Sequence, residues 1–280
     1  MSAAKFLRLF CLWALLLAAT SPLAAEETRT MRVFFIGNSL IYWADLPRQI
    51  ADFAAAHGST LEYGEQIRSG RGLRYHWETA DGLEGGGPHE KPARIALTEE
   101  DWDAVVLQPM SREFLPENRA QFAEYAKKLT SLIPEQTPIF LYAYWPYRSE
   151  SMDEQDRINE AFAEVREQLA KDGRDVRILP IGEAFREAVK LGFPREDLYL
   201  DEVHASAEGM HLAALVKYAS LFDRDPRGLP NRAIHAQPKR HDAVEIPPET
   251  ASLLQSAALE AVRRANVKPA NPANEKQTPP

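Results

Sequence analysis

Cysteine is nearly absent from this chain: Cys11 is the single one in 280 residues. It lies within MSAAKFLRLFCLWALLLAATSPLAA, where Lys5 and Arg8 precede an apolar run from Leu9 to Ala19 and small residues stand before Glu26. That order is the pattern of a secretory signal peptide, with an apolar core too short for an ordinary membrane span. Residues 1–25 are therefore expected to be removed and the mature protein exported, to the periplasm or the medium, with no stable membrane insertion. A mature chain without cysteine excludes a disulfide framework, a thiolate nucleophile and cysteine-ligated zinc or iron–sulfur sites.

Basic residues are in deficit, with Lys+Arg 33 against Asp+Glu 41 and a formal net charge of -8. Such a balance disfavours a broad electrostatic footprint for nucleic acid. No aromatic–basic repeat of the kind that stacks single-stranded bases is present. A nucleotide loop is lacking too, because Gly85-Gly86-Gly87 has neither the preceding strand nor the following helix that a phosphate cradle requires. No repeat occurs at a solenoid period. Nucleic acid is therefore not an expected partner, and no cofactor is called for.

What the chain does contain is an alternation of short apolar runs and amphipathic stretches. MRVFFIG at 31–37 reads as a buried strand, and Leu46, Ile50, Phe53 and Ala54 share one face of a helix over 46–57. Further strands are expected at 61–67, 103–109, 137–145 and 176–179. Helices are expected at 72–79, just before Asp101, and at 117–133, 153–171, 181–192 and 206–222, the last with Ser206 as a possible cap. Strand and helix in this order predict one α/β domain over 30–223, built on a mostly parallel five-stranded sheet. Its ligands should gather beyond the carboxyl ends of the strands. Residues 224–265 show no clear period until a helix at 248–264, and the tail from 266 has almost nothing to bury and is expected to be disordered.

Ser39 follows the first strand by two residues, so its hydroxyl should stand at the carboxyl edge of the sheet. Two readings compete there: a nucleophile, or with Asn38 an ordinary cap for the next helix. Near the other end, LYLDEVHASAEG places Asp201 three residues before His204, just ahead of a helix. In such a turn the carboxylate can accept from one imidazole nitrogen while the other faces a nucleophile.

Gly37-Asn38-Ser39-Leu40 resembles the first block of the SGNH (GDSL-like) hydrolases, usually Gly-Asp-Ser-Leu, and Asp201-Glu202-Val203-His204 resembles their last, Asp-x-x-His. The resemblance implies a three-layer α/β/α fold of flavodoxin-like form. It implies Ser39 as nucleophile, His204 as base and Asp201 as its orienter. Ser69-Gly70 is similar to the second block, which makes the Gly70 amide an oxyanion donor beside that of Ser39, with Gly72 in reserve. The third block, Gly-x-Asn-Asp, is replaced by Leu107-Gln108-Pro109, and Gln108 is expected to supply the missing amide donor.

Other polar and aromatic residues have two readings each. Trp43, Arg71, His76 and Tyr144 are candidates to line a substrate cleft; packing or a solvated surface is the alternative for each. Tyr142, Tyr144 and Trp145 either stack on a sugar ring or close the core. His204, Glu208 and His211 have a spacing seen in metal sites, but Ser206 starts the helix after His204, so no metal is expected. The expectation that results is an exported serine esterase acting on a short-chain ester, with acetyl among the favoured acyl groups, of a glycan or small molecule. The rival is a carbohydrate-binding module that keeps the fold without the chemistry.

Overall fold

The computed structural model describes residues 28–82, 88–171, 173–234 and 242–266. The leader 1–25, the run Gly85 to Gly87 and the tail from 267 lie outside the described residues. In chain order the elements are β1 (Thr30–Gly37), α1 (Ser39–Tyr42), α2 (Leu46–Ala56), β2 (Thr60–Ile67), α3 (Leu73–Glu78), α4 (Ala93–Glu99), β3 (Ala104–Leu107), α5 (Pro116–Thr130), β4 (Ile139–Ala143), α6 (Glu154–Ala170), β5 (Val176–Pro180), α7 (Ile181–Lys190), α8 (Ala207–Phe222), β6 (Arg232–Ile234), β7 (Ala243–Glu245) and α9 (Pro248–Asn266).

β1 to β5 form one parallel sheet in the order β2-β1-β3-β4-β5. This is the flavodoxin-like doubly wound order. The step from β1 out to β2 runs opposite to the later steps, so right-handed crossovers put α2 on one face and α3 to α6 on the other. Contacts agree: α3 meets α5 and α5 meets α6, whereas α2 and α7 meet α8, and α9 packs on α7 and α8. The central strands are buried on both faces, and β3 and β4 accordingly read as unbroken apolar runs, AVVL and IFLYA. α8 is apolar nearly all round because α2, α7 and α9 enclose it.

The segment after 223 is more than a helix. β6 and β7 pair antiparallel, in strands of three residues each, and α9 sends Leu254, Ala257, Ala258, Ala261 and Val262 into the main core. Ser206 caps α8 as its spacing allows, accepting from the Gly209 amide at 3.1 Å. Among the described residues no helix is long and apolar enough to cross a membrane.

Candidate active site

The register of the sheet gathers three segments at one edge. Gly37 stands opposite Ile67 and Ile36 opposite Leu107, so the residues that follow β1, β2 and β3 emerge side by side. The ladder continues one step past each strand: the Arg68 amide donates to the Gly37 carbonyl at 2.9 Å, and the Gln108 amide to the Ile36 carbonyl at 2.8 Å. Between them the chain turns sharply from β1 into α1. A Cβ on Gly37 would lie 2.5 Å from Gln108 Oε1 and 2.7 Å from Ile41 Cδ1, so a side chain there would push Gln108 and Ile41 out of place.

Asn38 makes both kinds of hydrogen bond at this turn. Its Oδ1 accepts from the Leu40 amide at 3.2 Å as the cap of α1, and its Nδ2 donates to the Arg71 carbonyl at 3.0 Å. An aspartate would accept at the first contact but could not donate at the second. Asn38 thus ties the start of α1 to the loop that carries Gly70. Gly70 lies exposed at φ 65 with nothing within 4 Å of a built Cβ, while Gly72 is the N-cap of α3 and packs against Glu113. The two glycines that the sequence leaves open thus differ: Gly70 borders open space, and Gly72 is closed in.

A second loop arrives from beyond β5. Asp201 Oδ1 accepts from the amides of Val203 and His204 at 2.8 and 2.7 Å, which closes the turn on itself. Leu200 N–H bonds the His204 carbonyl at 2.8 Å, and the Trp145 indole donates to the Val203 carbonyl at 3.0 Å. The loop is therefore anchored to the chain leaving β4. His204 Nδ1 lies 2.8 Å from Asp201 Oδ2, and its Nε2 lies 3.0 Å from Ser39 Oγ. An ionised carboxylate only accepts, so Nδ1 carries the hydrogen and Nε2 turns its lone pair to the serine. Partial burial pushes the Asp201 carboxyl up, but the His204 amide, the His204 ring and the Val203 amide together hold it below the ordinary carboxylate value. Ser39, His204 and Asp201 thus form a continuous chain able to draw a proton from the serine hydroxyl.

Gln108 stands elsewhere than expected, and for His76 and Tyr144 the structure shows the packing alternative. Gln108 is fully buried. Its Oε1 accepts from the Asn38 amide at 2.8 Å and its Nε2 donates to the Pro109 carbonyl. Because the Asn38 N–H needs an acceptor, the amide cannot be reversed, and Gln108 is a brace under the turn rather than a donor to an oxyanion. His76 is also fully buried; Nε2 lies 2.8 Å from the Gly37 carbonyl, which makes it the protonated nitrogen. Burial pushes the His76 imidazole down to about 4, against the pull of that carbonyl, so the ring is neutral. Tyr144 is core: its ring packs edge-on against Phe162, and its hydroxyl donates to the Met110 carbonyl at 3.2 Å. Tyr142 and Trp145 are buried with it, so the aromatic strand end closes the core and offers no platform for a sugar.

Arg71 is exposed, with its guanidinium over the Tyr75 ring at 4.9 Å. Trp43 is half-buried, and its indole lies on the His204 imidazole, 3.7 Å between centroids and 2° from parallel. His211, whose spacing from His204 raised the question of a metal, is fully buried and edge-on to Phe53. Among the described residues no three such side chains converge. Two groups near the site had no sequence signal. Glu113 is 6% exposed, with Oε2 accepting from the Met110 amide at 3.2 Å. Lys217 is fully buried with its Nζ 3.9 Å from the Tyr142 ring centroid, and the Tyr142 hydroxyl in turn donates to the Leu40 carbonyl at 3.0 Å.

No protein-family model and no curated protein matches the chain. Solved structures do. A DUF4886 family protein from Bacteroides uniformis ATCC 8492 shares 20% identity and a TM-score of 0.64, over 84% of this chain and 95% of that one. That likeness shows the fold. A family 3 carbohydrate esterase from Clostridium thermocellum has 13% identity and a TM-score of 0.49, over 69% of this chain and 96% of that one. A member of the lipolytic protein G-D-S-L family from Veillonella parvula DSM 2008 has 16% identity and a TM-score of 0.47, over 69% and 99%.

Proposed function

We propose that this chain is an exported serine esterase of the SGNH type that hydrolyses a short-chain ester. The reading rests on one observation above the others: the unbroken contact from Asp201 through His204 to Ser39, at 2.8 and 3.0 Å, beyond the carboxyl edge of a doubly wound sheet. Ser39 Oγ attacks the ester carbonyl as its proton passes to His204 Nε2, and the C–O π bond opens to an oxyanion. On this reading the amides of Ser39 and Gly70 take up that charge. Collapse expels the alcohol, which takes the proton from His204 and leaves an acyl-enzyme. Water, deprotonated by the same nitrogen, then attacks the acyl carbon and releases the acid and the free serine. Asp201 holds the tautomer and stabilises the imidazolium.

With Tyr142, Tyr144 and Trp145 in the core, nothing at the strand end argues for a sugar, and the proposal names the ester by its short acyl chain alone. Export belongs to the same proposal and rests on residues 1–25. Mass spectrometry of protein recovered from the envelope or medium should find an N-terminus near Glu26, and an intact Met1 there would contradict it.

The test is turnover of a short-chain aryl ester. Ser39→Ala and His204→Ala should each lower kcat by roughly 10⁴-fold, and Asp201→Asn should be nearly as damaging because it permits the wrong tautomer. Equal turnover in wild type and Ser39→Ala would end the esterase reading, as would an inert wild type across a panel of acyl lengths. The latter result would favour a binding module.

A further inference from the structure

We infer that Trp43 is a positioning residue for the proposed reaction, acting through its stack on His204 to hold the ring in line and to stabilise the imidazolium that forms when Ser39 gives up its proton. The inference rests on the esterase reading of Ser39, His204 and Asp201.

The geometry is specific. The two rings are 2° from parallel with centroids 3.7 Å apart, so the indole lies flat over one face of the imidazole. Among the described residues, the hydrogen bonds to the His204 ring lie at its edges, from Asp201 on Nδ1 and Ser39 on Nε2. Edge contacts leave the ring free to rock about the line that joins them, and a face contact removes that freedom. Trp43 is also fixed to the nucleophile's own turn. Its amide donates to the Ser39 carbonyl at 3.2 Å as α1 ends, and its Nε1 donates to the Tyr42 hydroxyl at 3.2 Å. One short segment therefore presents a hydroxyl to the edge of His204 and an aromatic surface to its face.

That surface discriminates between the two protonation states of the ring. An indole face carries the negative part of its quadrupole and attracts a cation lying over it more than a neutral ring. A ring that acts as the base starts neutral, whereas at the transition state it is gaining a full positive charge. An interaction that strengthens along that path raises kcat, while one made equally in both states acts on KM. A Trp43 that merely walled an acyl pocket would act mainly on KM. The His204 side chain is only 20% exposed, so the stack lies largely out of water. Shielding makes the attraction between indole and imidazolium stronger than at a fully wetted site.

The experiment compares wild type, Trp43→Leu and Trp43→Phe in steady-state hydrolysis of a short-chain aryl ester, with melting temperatures measured alongside. Leucine fills space without a π face; phenylalanine restores the face on a smaller ring. Trp43→Leu should lower kcat about tenfold with KM within about twofold of wild type, and Trp43→Phe should recover most of the loss. The inference is overturned if the Leu variant keeps wild-type kcat, if its loss falls on KM alone, or if the Phe variant loses as much as the Leu variant at a similar melting temperature. In each of those cases an active wild type leaves the esterase reading standing. An inert wild type instead overturns that reading, and the role of Trp43 with it.

Discussion

At Glu113 the protein buries a carboxyl without a cationic partner in contact among the described residues, and the consequence is a proton held where a free carboxyl would have lost it. Burial pushes this group up to about 7, and the single bond from the Met110 amide pulls it back only in part. Its Oε1 occupies the space over Gly72, where a Cβ would approach to 2.1 Å. A carboxyl with a raised folded pKa is protonated in the native state while the unfolded chain has released its proton. Its contribution to stability is therefore present below about 4.5 and lost as pH rises toward 7. Glu113→Gln removes that loss. Urea unfolding at pH 4.5 and pH 8 should show the variant gaining about 3 kcal/mol on wild type between the two conditions. Parallel stabilities at both values would mean that Glu113 is ionised and solvated. Single residues also mark the limit of sequence reading. Ser39, Asp201 and His204 were singled out because they stand beside a strand end or helix start inside blocks that resemble those of one family; local position alone left Ser39 open between nucleophile and cap. Glu113, in PMSREF, has no such neighbour, and Trp43 gave no sign of its partner because His204 arrives from the far end of the domain.

The turn between β1 and α1 is the element on which the site depends, and its braces come from three other parts of the sheet edge. Gln108 after β3, His76 on α3 and Arg68 after β2 each bond a backbone group of Gly37 or Asn38. Asn38 passes the constraint on to the loop of Gly70 through the Arg71 carbonyl. In Asn38→Asp that contact becomes two opposed acceptors, so the loop should loosen while the cap on Leu40 is kept. Loss of the bond and repulsion at a buried site should lower kcat/KM about 10- to 100-fold with only a modest fall in melting temperature. An unchanged kcat/KM would show that the Gly70 loop needs no support from Asn38. Here the alignment of Gln108 with a missing block residue misled. It does follow β3, but the ladder bond from its amide to Ile36 turns its side chain under the Gly37 turn. The same scale explains β6 and β7, which escaped notice because strands of three residues are too short for alternation to register. Long periodic segments fared best: the inward stripe Ile158, Phe162, Val165 and Leu169 of α6 is buried as its spacing predicts.

Across the whole molecule, the fold's task is to bring together segments that lie 165 residues apart in sequence. The doubly wound sheet does this by returning the chain after β5 over the face that holds α2, so α8 starts beside the turn that follows β1. The order of apolar runs makes that architecture legible, since strand–helix alternation and the handedness of crossovers leave few alternatives. That the loop ahead of α8 would meet Ser39 rested on resemblance, because no periodicity reports a contact between loops. The account's central claim is that this meeting makes Ser39 a nucleophile. A serine-directed phosphonate added to the purified protein, followed by peptide mass spectrometry, tests it most directly. The account predicts a single covalent adduct on Ser39, absent from Ser39→Ala and formed far more slowly in His204→Ala. A folded wild type that takes up no phosphonate, or an adduct that persists in Ser39→Ala, would contradict it.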